Sequence, residues 1–219
     1  MIGMDMGGLW GGFYNVSQVI ARLAYLNLLW ISFTVLGGIA FGIMPATIAV
    51  FSLIRKWRQG ESDLPIIKTF WHYYKKEFLK SNLLGIVLVI LGYLLYLNLT
   101  LLQGDALVLI ILRYVMLFCC ILFFIMSLMI FQVYVSYKMP FLQYLKSALL
   151  IGLTYPHLLL LMVVGIILLQ YLLMFIPGII PFFSISLLAY MMTCVTDFIF
   201  IKVESKDQSM ESNNEVVPT

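Results

Sequence analysis

Long runs in which every position is apolar alternate along this chain with short polar or glycine-rich breaks. Residues Leu23 to Ile54 carry no charge at all. As one straight helix that stretch would be about 48 Å long, against a bilayer hydrocarbon core of about 30 Å. Gly37, Gly38, Gly42 and Pro45 cluster near its middle, where a helix is expected to stop and turn. The pattern predicts a first helix from Phe13 to Leu36, a tight turn, and a shorter helix from Met44 to Trp57. Gly38 and Gly42 also have the spacing of a close-packing pair on membrane helices, but the turn is the preferred use.

A basic segment follows, from Arg55 to Lys80, with seven of the thirteen Lys and Arg residues. Ser62 and Asp63 can cap a helix. After them Ile67, Phe70, Trp71, Tyr74 and Phe78 recur at helical spacing, with Lys68, His72, Lys75 and Lys76 mainly on the other side. That pattern predicts an interfacial amphipathic helix over residues 65–80, on which Lys68, Trp71, Lys75 and Lys76 meet the lipid surface and its anionic headgroups. Four apolar spans come next: Asn82 to Leu102, Leu107 to Val135, Ser147 to Tyr171, and one ending near Ile201. They are separated by Gln103–Asp105, by a loop holding Lys138, Pro140 and Lys146, and by a break at Pro177–Pro181. Residues 202–219 are polar and without apolar periodicity, which predicts a disordered cytoplasmic tail.

Between Ser81 and Ile201 only Asp105, Arg113, Lys138, Lys146 and Asp197 are charged. A soluble domain of this size cannot bury so much apolar surface, and runs apolar on every face exclude a membrane β-barrel. The fold class is therefore all-α: a polytopic transmembrane helical bundle, residues 1–201, with about six spans, or five if Met44–Trp57 does not cross. The Arg55–Lys80 segment, the Lys138/Lys146 loop and the Lys202/Lys206 tail should face the cytoplasm of a plasma-membrane protein. The first residues lack a basic region and a cleavage site, so the first span is expected to be retained.

Three residues stand out as a candidate intramembrane polar site. His157, after Tyr155-Pro156, falls about ten residues into the expected fifth helix, where an ionisable group should face the bundle interior. It is either a proton relay or substrate contact, or a neutral histidine hydrogen-bonded for packing; packing is preferred. Arg113 can snorkel outward toward Asp105, or contact an anion within a cavity. Asp197, near the inner end of the last span, reads as an interfacial acid with Lys202 at hand, or as a relay partner of His157. Asn27, Gln132 and Gln170 are expected to hydrogen-bond between helices. Cys119, Cys120 and Cys194 read as small hydrophobes, so no metal or cofactor is called. Motifs of hydrolases, metalloproteases and nucleotide-binding loops are missing, and the expectation is a protein that is not an enzyme. Nucleic acid is not an expected partner.

The stretch from Asn27 to Lys80 resembles the YesL-like bacterial membrane proteins, whose domain has no assigned function. The resemblance is carried by NLLW at Asn27–Trp30, GGIAFGIMPATIAVF at Gly37–Phe51, RKWRQGE from Arg55, and TFWHYYKKEFLKSNLLG at Thr69–Gly85. It implies a plasma-membrane protein of a Gram-positive bacterium. It also implies an accessory role in carbohydrate uptake, with ABC-type sugar transporter subunits as partners. Two alternatives stay open: a small oligomeric transporter or channel with a polar path near His157 and Arg113, and a membrane sensor signalling through the basic helix.

Overall fold

The computed structural model describes residues 9–61, 63–101, 104 and 106–215, with side chains described from Val16 to Phe198. Seven α-helices account for nearly all of them: α1 (Leu9–Leu36), α2 (Ile43–Arg58), α3 (Ile66–Leu101), α4 (Leu107–Ser136), α5 (Phe141–Thr154), α6 (Pro156–Phe175) and α7 (Ile180–Glu215), with one 3₁₀ turn at Pro177–Ile179. Five of these helices contain stretches long and apolar enough to cross a membrane: α1, α3, α4, α6 and α7. The protein is a helical membrane protein. The expected Gln103–Asp105 break lies almost wholly outside the described residues.

Helices α1 and α2 end in the same way. At each, the chain reverses through a glycine with positive φ, Gly38 at +75° and Gly60 at +95°. At the first, Ile39 N–H donates to the Thr34 carbonyl and Gly38 N–H to that of Val35; at the second, Glu61 N–H donates to Lys56 and Gly60 N–H to Trp57. Both are Schellman motifs, in which glycine takes the left-handed position without a Cβ clash. Gly42 serves differently. A Cβ there would lie 2.8 Å from the Thr34 Cα, so its bare backbone lets the start of α2 rest against the end of α1. Turn and close approach are thus divided between two glycines, rather than competing for the same ones.

The short α2 is the centre of the molecule. It packs against α1, α3, α4 and α7, and every residue from Ile48 to Ile54 is buried. At sixteen residues it is about 24 Å long, short of the hydrocarbon thickness. Its lining is aromatic: Phe51 stacks on Phe131 of α4 with ring centroids 5.7 Å apart. On the α1–α3 side, Phe33 meets Phe70 at 5.0 Å and Tyr74 at 5.3 Å.

Three expectations are corrected by this architecture. Residues 65–80 do not form an interfacial helix of their own; they are the first turns of α3, which runs unbroken for 36 residues, about 54 Å. The switch from basic to apolar at Lys80 changes the solvent, not the backbone, since neither proline nor glycine intervenes before Gly85. The buried part of its aromatic stripe, Phe70 and Tyr74, packs on protein rather than lipid. Secondly, the expected helix Ser147–Tyr171 is broken into α5 and α6 at Tyr155 (φ −121°, ψ 60°). Pro156 lacks an N–H and pushes its predecessor out of the helical region, so α6 starts there instead of passing through. Finally, α7 continues as helix to Glu215, over much of the stretch for which composition predicts disorder.

Candidate functional site

The chain's polar chemistry gathers at one end of the bundle, where α2 finishes, α3 starts, α4 finishes and α5 starts. Asp197 of α7 reaches this end and meets two arginines of α2. Its Oδ2 accepts from Arg58 Nε at 2.8 Å, and its Oδ1 lies 3.8 Å from Arg55 Nη1. The hydrogen bond to the Asp197 carboxylate moves the Arg58 guanidinium still further up from its ordinary range. One turn earlier on α7, Thr193 accepts a hydrogen bond from Gln132 Nε2 of α4 at 3.1 Å, both side chains being buried. These contacts fix α7 against α2 and α4.

Beside this tie, α2, α3 and α4 and the turn before α5 enclose an open cleft of about 870 Å³. Lys76, Glu77 and Lys80 line it from α3, Tyr134 from α4, Lys138 from the turn, and Tyr144 from α5. Its acid is engaged: Tyr134 donates its hydroxyl to Glu77 Oε2 at 2.7 Å. Tyr144 leans on Tyr134 with ring centroids 4.8 Å apart. Its hydroxyl accepts from Met139 N–H at 3.1 Å and donates to the Tyr137 carbonyl at 3.1 Å. Tyr144, leaning on the Tyr134–Glu77 pair, thus holds the 137–140 turn in place, and the lining lysines Lys76, Lys80 and Lys138 are exposed. The cleft can hold an anion or a polar partner segment.

The intramembrane residues do not form a common site. Asp197 is taken by Arg55 and Arg58, not by His157. His157 is an exposed residue in the first turn of α6, edge-on to Tyr155 at 6.3 Å. The break at Tyr155 moves it from mid-helix to a helix start. Arg113 is exposed on α4, nineteen residues, or about 28 Å of helix, from Gln132, whereas Asp197 lies just past Gln132's partner Thr193. Arg113 and Asp197 therefore belong to opposite ends of the bundle. The proposed Asp105 partner of Arg113, and Lys202 beside Asp197, lie outside the described side chains. On α3, Lys68, Lys75 and Lys76 are exposed, and Trp71 is half exposed while stacking on Tyr74 at 6.0 Å.

Two of the three expected interhelical amides find partners. Gln132 has Thr193. Asn27, fully buried, donates from Nδ2 to the Pro181 carbonyl at 2.7 Å, and its Oδ1 accepts from Ile185 N–H at 3.0 Å and Ser186 N–H at 3.1 Å. Gln170 is exposed on α6. Sequence reasoning missed the Glu77–Tyr134–Tyr144 group. The signal available was a lone acid among lysines 75, 76 and 80, and tyrosines at 134, 137 and 144 around a basic turn.

Comparison with known proteins places the chain. The family described as "Protein of unknown function, DUF624" matches residues 23–99. Over nearly its whole length, the chain is 40% identical over 201 residues to the uncharacterized protein YteU of Bacillus subtilis (strain 168), covering 92% of this chain and 90% of YteU. It belongs to the DUF624 family. Two further relatives from the same bacterium are similar: YesV, 37% identical over 78% of this chain and 83% of its own, and YesL, 33% identical over 88% and 90%. All three are uncharacterized proteins by name. No solved structure matches this DUF624 protein. The family match covers α2, the second half of α1 and nearly all of α3, the helices that build the centre of the bundle and one wall of the cleft.

Proposed function

We propose that this DUF624 protein is an accessory component of carbohydrate uptake in the plasma membrane, with its basic end and carboxyl terminus in the cytoplasm. In this reading it works by contact with transporter subunits of the ABC type rather than by chemistry of its own. The observation that carries the proposal is the organised polar end. A cleft held by Glu77, Tyr134 and Tyr144, next to the Arg55/Arg58–Asp197 tie, offers a shaped and charged surface for a partner. The resemblance to the YesL-like proteins supports the choice of carbohydrate uptake. Lysines and arginines concentrated at that end support its cytoplasmic side.

The test is affinity purification in mild detergent, paired with oligosaccharide uptake in a deletion strain. The expected result is co-purification of a sugar transporter subunit, lost in Tyr144→Ala, and reduced uptake in the deletion. Recovery of no transporter subunit together with unchanged uptake overturns the proposal. Single cysteines at Gln59 and Ser209, expected to be labelled only from the cytoplasmic side, test the orientation independently.

A further inference from the structure

The cleft has a second property that protein docking does not use. Its charge is unbalanced: three exposed lysines, Lys76, Lys80 and Lys138, line it with a single acidic residue, Glu77, whose carboxylate already accepts a hydrogen bond from Tyr134. It is also continuous with an apolar strip. Lys76, Lys80, Leu83, Val87, Ile90 and Leu94 recur at steps of four and three, so they share one face of α3. Leu83 lines the cleft, and Leu83, Ile90 and Leu94 are each about half exposed at 51%, 52% and 49%. The face thus changes, within one turn, from charged to lipid-soluble.

We propose that this cleft binds the phosphate-bearing headgroup of an anionic phospholipid, with an acyl chain lying along the Leu83–Leu94 face of α3. Lysine ammoniums are compact charges suited to a phosphodiester. Buried Tyr134 and half-buried Tyr144 add an aromatic wall to the cleft, side chains that combine an apolar ring with a polar hydroxyl as membrane-interface residues do. A basic pocket between helices at a membrane surface is the kind of site that retains an anionic headgroup. A soluble phosphorylated compound shares the chemistry of the pocket but makes no use of the adjoining apolar strip, and for that reason the lipid is the assigned ligand.

The experiment titrates the purified full-length protein, in mild detergent, with dioleoyl phosphatidylglycerol, with dioleoyl phosphatidylcholine, and separately with glycerol 3-phosphate, and counts bound molecules by native mass spectrometry. The variant replaces Lys76, Lys80 and Lys138 by Gln. A charge-matched control replaces Lys68, Lys75 and Lys146, exposed lysines that do not line the cleft. Saturable phosphatidylglycerol binding is expected, weakened on the order of 100-fold in the cleft variant and much less in the control. Equal loss in both variants, loss in neither, or no preference for phosphatidylglycerol over phosphatidylcholine overturns the proposal. Glycerol 3-phosphate competing at the same concentration as the lipid also overturns the lipid assignment, and makes the site one for a soluble phosphate. Should the triple variant fail to fold, Lys138→Glu alone, on the turn, carries the same test with a smaller expected loss. None of these readouts involves a transporter or sugar uptake, so this inference and the proposed function fail separately.

Discussion

Asn27→Ala is the substitution from which the structure predicts most. The side chain is fully buried on α1 and bonds to three backbone groups of α7. Two of these, the Pro181 carbonyl and the Ile185 N–H, are the i and i+4 partners of a single helical turn, so the amide bridges the first turns of α7 from outside. Interhelical hydrogen bonds in membranes contribute about 0.6–2 kcal/mol each. Three of them sum to about 2–6 kcal/mol, but after truncation the freed groups of α7 can close on one another, which returns part of the loss. A net cost of about 2 kcal/mol is expected, a roughly 30-fold fall in the folding constant. Reversible unfolding of the purified protein by sodium dodecyl sulfate in mixed micelles, followed by tryptophan fluorescence, measures it. Ser32→Ala is the internal control, because the Ser32 hydroxyl bonds to the Leu28 carbonyl of its own helix, at 2.9 Å. A loss for Asn27→Ala within about 0.5 kcal/mol of the control would refute the reasoning.

Three more outcomes follow from named contacts. Gly42→Ala drives a Cβ into the Thr34 backbone, which cannot yield as a side chain could, and should cost about 2–3 kcal/mol in the same unfolding assay. Ile39, a β-branched residue at φ +60° with its side chain mostly exposed, should be improved by Ile39→Asn, with stability rising by up to about 1 kcal/mol. Asp197→Asn removes the carboxylate shared by Arg55 and Arg58. Arg58 is open to solvent, so screening limits the loss to about 1 kcal/mol, and the difference from the parent protein should shrink as salt is raised.

Much of the helix plan was legible because its boundaries are local chemistry. The ends of α1, α2 and α4 fall within about two residues of where the glycine cluster, the onset of basic residues and the loop holding Lys138 and Pro140 put them. What failed to show was which surface covers which face. The stripe Phe70–Tyr74 has the same periodicity whether lipid or α1 and α2 lies against it, and one sequence does not contain the neighbour. Lys80 looked like a boundary because polarity changes there, yet a helix backbone is indifferent to its solvent. Pro156 was the reverse: a backbone break hidden inside an unbroken apolar run. The candidate site followed the same division. Asn27 and Gln132 were recognisable as interhelical donors from their polarity alone, but their partners, Pro181 and Thr193, lie over a hundred and about sixty residues away. Asp197 was recognisable as an acid needing a partner, and the arginines that supply it come from α2, on the far side of four helices in the chain.

The position of α2 bears on how this protein is made. A helix of about 24 Å that carries Arg55, Lys56 and Arg58 in its last turn is a poor resident of bare hydrocarbon, and three of the four walls around it are synthesised later. As the nascent chain leaves the ribosome, α2 must wait for α3, then α4, and finally α7, whose Asp197 neutralises its arginines. A chain truncated before α7 therefore leaves its own middle unsheltered, and membrane quality-control proteases should clear it.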